Sequence, residues 1–203
     1  MKTLIIGGGS IGYKLAELLQ GEVRVVSRSN GCDIARPNQV QEAVSGFEPD
    51  TVVVSAGSYP ELAEIGQIKD WREIANLIVA KTLGAMVVLD AAVKCGVKKI
   101  IVLGGSEVSG DPRFVHFTVG NGGLWAACQF ASLHTRLEVY YLELGVVSGS
   151  EMGEAYVTSL TVEKQAKVRE MAVSYEDIAN EIARIQGGEI PAGSRVQINR
   201  GTL

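Results

Sequence analysis

The sequence predicts an α/β fold built as one domain: a doubly wound parallel sheet with helices on both faces. Three observations carry this. Short β-branched apolar runs alternate with longer segments in which Ala and Leu recur every three or four residues, the two periods that separate strands from helices. Runs such as TVVVS and IIVLG are apolar on both faces, as strands are when helices cover a parallel sheet above and below. The chain has 203 residues, 46% hydrophobic and 21% charged, enough for one sizeable core over residues 1–203 and cramped for two.

In chain order, residues 3–6 (TLII) form the first strand and 11–20 the first helix. Residues 23–27 are a second strand, and Pro37 opens a helix over 37–44, since proline is tolerated where a helix has no N–H to offer. Residues 51–55 are the third strand, 74–95 a long apolar helix, 99–103 the fourth strand, 124–135 a helix and 138–144 the fifth strand. Gly187 and Gly188 mark a turn. Right-handed crossovers between parallel strands then wind the helices onto both faces.

Charge and cysteines narrow the class. The net charge is −4 and the 19 Lys and Arg are scattered, which argues against nucleic acid, because phosphate binding needs a basic face. Cys32, Cys95 and Cys128 are odd in number and far apart, so neither a disulfide framework nor a metal site is signalled. A reducing cytoplasm fits them. No export leader is recognisable and no continuously apolar run reaches the roughly 18 residues of a membrane span, so a small molecule is the expected partner, with no membrane.

The stretch TLIIGGGSIGYKLAELL holds the sharpest signal. Gly7, Gly9 and Gly12 form G-x-G-x-x-G directly after a strand and at the mouth of a helix, with Ser10 and Ile11 inside the motif. Glycines there permit a tight turn and let backbone N–H groups approach a pyrophosphate, whose charge the helix N-terminus stabilises. The alternative is a glycine-rich turn with no ligand. A Gly12→Val change is expected to abolish dinucleotide binding while the fold is retained. This is the signature of a Rossmann domain.

The end of the second strand selects the dinucleotide. A carboxylate there would bond the ribose 2′-hydroxyl of NAD, but the chain reads Ser27, Arg28, Ser29. A guanidinium with two hydroxyls beside it suits the 2′-phosphate of NADP, so NADP is expected over NAD. A solvated loop arginine is the other reading. Asp33 and Ile34, in a turn ahead of Pro37, and Ser55, Ala56 and Gly57, at and just past the end of the third strand, are expected walls of the adenine and ribose pocket.

The segments GGGSIG, CDIARPNQVQEAVSGFEPDTVVVSAG, LGAMVVLDAAVKCGVKKIIVLGGSEVSGDP and LEVYYLELGVVSG resemble consecutive landmarks of extended and atypical short-chain dehydrogenase/reductases, an epimerase-like group. VSYEDIANEIARIQGG resembles the late segment in which an acidic pair opens the last helix, and SRVQINRG the closing strand. With only about fifty residues after Gly149, the chain is closer in size to the small NAD(P)H-binding reductases of the flavin and biliverdin reductase kind. The resemblance implies a Rossmann fold, a nicotinamide cofactor and redox chemistry.

The same resemblance exposes a departure. The family's Tyr-x-x-x-Lys pair, in which an ammonium lowers the phenol pKa for proton transfer, falls here on FTVGN: Phe117 stands for the tyrosine and Asn121 for the lysine. Neither the donor nor its activating charge is present in that register. The serine or threonine that polarises a substrate carbonyl is also displaced, with Gly105 in its place and Ser106 one residue later. Candidate replacements are Ser106 as a substrate contact, Glu107 as acid or base and His116 as proton donor, with Tyr59, Phe117 and Asn121 against the substrate. For each, a capping, solvated or core role is the alternative.

Three functions remain open. One is an NADP-dependent reductase of a small planar or conjugated acceptor. The second is a catalytically inactive NADP-binding sensor or partner subunit. The third is a non-redox lyase or isomerase in the same crevice. A homodimer through the helices over 74–95 and 124–135 is a further expectation from the resemblance.

Overall fold

A computed structural model describes residues 1–57, 70–105, 113 and 115–198. Six parallel strands form one sheet in the order β2-β1-β3-β4-β5-β6: β1 (Lys2–Ile6), β2 (Glu22–Val26), β3 (Thr51–Val54), β4 (Lys99–Gly105), β5 (Glu138–Leu144) and β6 (Arg195–Ile198). The order reverses beside β1, whose residues pair with β2 on one edge and β3 on the other, Ile6 lying against Val26 and Val54. A crevice opens at such a reversal, beyond the carboxyl ends of the strands.

The pleat divides the core in two. Leu4, Ile6, Val52, Val54, Ile100 and Val102 face α2 (Pro37–Phe47), α4 (Gly84–Lys94) and α5 (Val115–His134). Ile5, Val53, Ile101 and Leu142 face α1 (Ser10–Leu18) and α8 (Tyr175–Gln186). Each such side chain, fully buried, contributes about 1.5–3 kcal/mol. Ser174 and Asp177 cap α8 reciprocally, with Glu176 and Asp177 in its first turn, so the acidic pair does open the last helix.

Three features depart from the sequence reading. The helix expected over 74–95 begins at Trp71, where Asp70 accepts from the Arg72 N–H, and its α3 (Trp71–Ile78) and α4 parts are joined by a π-helical turn, Val79–Leu83. The helix expected from Leu124 begins at Val115. Two helices had no counterpart in the reading, α6 (Glu151–Thr158) and α7 (Val162–Glu170). They roof the carboxyl end of the sheet through a small cluster of Phe117, Tyr156, Val157 and Val168.

By length and composition the segment Ile74–Lys94 is apolar enough to cross a membrane, yet its Ala85, Val88 and Ala92 are buried against the sheet. On the outward faces of α4 and α5, the helices named above as a dimer face, Met86, Val93, Phe130 and Leu133 are exposed.

Candidate active site

The glycine turn divides its labour. Gly7 has φ 131°, a backbone state that an L side chain rarely adopts. A Cβ on it would strike Ser55 and the Ala56 nitrogen, and one on Gly12 would strike the Gly7 carbonyl. The Ser55 hydroxyl donates to that carbonyl at 2.9 Å, so Ser55 clips the turn together. Gly9 differs from both. It is the N-cap of α1 without any side-chain cap bond, and a Cβ on it would meet nothing within 4 Å. The first N–H groups of α1 therefore open onto free space with their positive dipole end uncapped, which fits an anionic pyrophosphate.

Beside it, the end of β2 is a formed loop. Arg28–Asn30 make a 3-10 turn in which Ser27 and Asn30 cap each other, and Gly31 closes it at φ 98°. The Asn30 side-chain amide donates to the Val25 carbonyl at 3.1 Å, and the Ser27 and Ser29 hydroxyls lie 2.8 Å apart. Arg28 is exposed. The loop presents a cation and two hydroxyls, with no carboxylate at the ribose position. Asp33 Oδ1 accepts from the Ala35 N–H at 3.0 Å, which makes the turn ahead of α2, and Ile34 packs against Gly84. The residues present fit a dinucleotide carrying a 2′-phosphate.

From Gly9 a cleft of about 390 Å³ runs across the carboxyl ends of β1, β3, β4 and β5. Of the sequence-predicted residues it gathers Gly9, Ser10, Ile11, Ser55, Ala56, Gly57 and Phe117. The rest of its wall comes from Lys81, Gly105, Val146, Ser150, Met152 and Tyr156, among others. Ser150 holds the roof in place, accepting from the Gly153 N–H at 3.0 Å and donating to the Val147 carbonyl at 2.8 Å.

Lys81 is a buried cleft residue that the sequence reading did not single out. Its stem runs from the π turn between Gly57 and Gly120, where Cβ atoms would sit 3.6 and 3.5 Å from it. Its ammonium donates to Asn121 Oδ1 at 3.0 Å and lies 4.5 Å from the centre of the Phe117 ring. The residue is 7% exposed, and burial lowers its pKa from 10.5 to about 8. A cation is thus held beside Asn121 by a different element of the chain, the π turn. A lone lysine inside the apolar run LIVAKTLGAMVV was the signal available in the sequence.

The other vacancies are linked as well. A Cβ on Gly105 would collide with the Phe117 ring, so a side chain at 105 would require that ring to move. Asn121 Oδ1 also accepts from the Gly105 N–H at 3.2 Å, while among the described residues its buried Nδ2 has no partner. Asn121 therefore lies behind the cleft wall, holding Lys81.

His116 is 3% exposed and outside the cleft lining. Its Nδ1 has no partner among the described residues, and burial lowers its pKa. Tyr59, Ser106 and Glu107 lie outside the described residues. Cys128 is a core thiol pushed up to about 12 by burial.

Fold and cleft together define a Rossmann-type protein whose first turn is open to an anion. The chain belongs to the NAD dependent epimerase/dehydratase family, whose model matches residues 3–119. Among solved structures it is similar to a small-chain dehydrogenase in complex with NADPH, 17% identical over 99% of this chain and 97% of that one, with a TM-score of 0.81. It is also similar to a short-chain type dehydrogenase/reductase from Mycobacterium ulcerans, at 16% identity, 97% and 87% coverage and a TM-score of 0.80. A third likeness is to dTDP-4-dehydrorhamnose reductase from Bacillus anthracis in complex with NADP, at 16%, 99% and 75%, with a TM-score of 0.70. No curated protein sequence matches significantly. At these identities the likeness establishes the fold, and the motif-based resemblance to short-chain dehydrogenase/reductases holds.

Proposed function

We propose that this protein is an NADP(H)-dependent reductase of a small planar or conjugated acceptor. The observation that carries the reading is the uncapped, unobstructed N-terminus of α1 at Gly9, continuous with a cleft that ends on Phe117 and Lys81. Arg28, Ser27 and Ser29 supply the contacts a 2′-phosphate needs, and similar folds have been crystallised with NADPH or NADP. The dinucleotide, when bound, supplies a hydride. The chain's own part is to seat the acceptor and keep water out. Phe117, Val146, Met152 and Tyr156 form a mostly apolar wall, which suits a flat ring system better than a polyhydroxylated sugar.

The test is to mix the protein with NADPH and a panel of flavins, quinones, tetrapyrroles and conjugated carbonyls, following the reduced-nicotinamide absorbance. Consumption with at least one acceptor is expected. Binding seen by nicotinamide fluorescence without any consumption would instead favour an inactive NADP-binding sensor or partner subunit, the reading that Phe117 in the tyrosine position recommends. No binding at all, with a metabolite raising the melting temperature, would favour a non-redox lyase or isomerase.

A further inference from the structure

Lys81 has features that a merely structural lysine lacks. It is buried, and among the described residues no carboxylate pairs with it. An uncompensated buried cation costs stability, so its position weakens the fold rather than supporting it. It is also held with care. Its stem runs beside Gly57 and Gly120, and the Asn121 oxygen that accepts from it is fixed on the far side by the Gly105 N–H. It projects from a π turn, a distortion that is frequent at functional sites. An ammonium has three N–H donors, of which Asn121 takes one. Lys81 is among the residues lining the cleft, and its ammonium lies beside the Phe117 ring, the position that corresponds to the family's phenol.

We propose that Lys81 is the catalytic acid of this site, bonding the oxygen of a carbonyl or quinone acceptor and protonating it as the adjacent carbon is reduced. The assignment rests on the reductase reading above. A hydride from the reduced nicotinamide forms the new C–H bond while the C=O π bond breaks. The released electron pair takes a proton from Lys81 Nζ, and the N–H electrons remain on nitrogen. The acceptor is reduced, the nicotinamide oxidised, and the neutral amine regains its proton from water. A pKa near 8 makes this transfer easier than from an ordinary lysine while leaving the ammonium mostly charged at neutral pH. Among the described residues, the titratable groups sharing the cleft lining with Lys81 are Glu151 and Tyr156.

The experiment uses NADPH and phenanthrenequinone as the carbonyl probe, across pH 6 to 10, with the parent, Lys81→Met and Lys81→Arg. In the parent, kcat should be level up to about pH 8 and then fall close to tenfold per unit. Lys81→Met should lower kcat about 100-fold or more and lose that limb, with NADPH binding by fluorescence within a few fold of the parent. Lys81→Arg keeps the charge but holds its proton, so it should also be slow and without the limb. Separately from turnover, the Nζ resonance of nitrogen-15 lysine-labelled protein, assigned by its loss in Lys81→Met, should titrate near pH 8 in the parent with NADP⁺ bound. A Lys81→Met protein that keeps kcat and the alkaline limb overturns the assignment while the reductase reading stands. An Nζ that stays charged through pH 9.5 does the same. A parent that binds NADPH yet reduces neither this quinone nor any acceptor of the panel overturns both.

Discussion

The two ends of the cleft are built on opposite principles. At the dinucleotide end, β1, the glycine turn, α1 and the Ser27–Gly31 loop lie within some thirty residues, and their shape follows from local backbone rules with Ser55 as the main outside clip. At the chemical end, Gly57, Lys81, Gly105, Phe117, Asn121 and Tyr156 come from β3, the π turn, β4, α5 and α6, and none makes sense without its neighbours. A site of the first kind is sensitive to a single residue's geometry. The second kind depends on distant residues keeping their mutual contacts, as Lys81 and Asn121 do.

The sharpest break of that comparison is at the glycines. Gly12→Val should not leave the fold intact, contrary to the sequence expectation, because its Cβ would run into the Gly7 backbone. Its denaturation midpoint should fall by the equivalent of about 3 kcal/mol or more. Gly9→Val, with extended backbone at φ −78° and open space ahead, should melt with the parent yet bind NADPH about 100-fold more weakly, because the side chain fills the anion cradle. Equal melting losses in both variants would refute this division of roles.

At the chemical end, Asn121→Lys places a second ammonium beside Lys81, and like charges at that separation cost up to about 4 kcal/mol near a protein surface. Adding Lys81→Asn should recover most of the loss, and a double-mutant cycle by urea unfolding would measure the coupling. Restoring the family's pair with Phe117→Tyr and Asn121→Lys alone is therefore expected to fail. Additive costs in the cycle would mean the two positions are independent.

Lys81→Met should stabilise the protein. The folded pKa is depressed to about 8 from 10.5, so below pH 8 both folded and unfolded states carry the charge and the folded one bears the full burial penalty, on the order of 3 kcal/mol. Between pH 8 and 10.5 the folded state sheds its proton first, and the parent gains stability as pH rises. The advantage of Lys81→Met should therefore be full at pH 7 and fade toward pH 10.5. An advantage independent of pH would show that packing, not charge, is the cause.

The smallest effect belongs to Arg28→Ala, which should weaken NADPH by about thirtyfold, close to 2 kcal/mol, and NADH hardly at all. Equal losses by fluorescence titration would remove the basis for NADP.

Legibility in the sequence follows the same divide. Strand positions were readable because β-branched apolar runs have few other uses. β5 was located to the residue, and β1 and β3 to within one or two. The first nine residues of α5 were not, since VHFTVGNGG carries three glycines and β-branched residues of poor helix propensity. Packing overrides propensity there: Gly123 admits Thr82, whose hydroxyl donates to the Gly120 carbonyl at 3.3 Å. The helix α7 escaped because VEKQAKVRE has a single buried residue, Val168, and no apolar stripe to reveal it.

By itself the sequence determined the doubly wound sheet, the glycine turn and the absence of a carboxylate after β2, because these depend on periodicity and on conformations only certain residues adopt. Only the tertiary structure decided what stands in for the missing Tyr-x-x-x-Lys pair. The contact of Lys81 with Asn121 and the close approach of the Phe117 ring to Gly105 join residues far apart in the chain, and no local pattern encodes which distant atoms will share the same few ångströms.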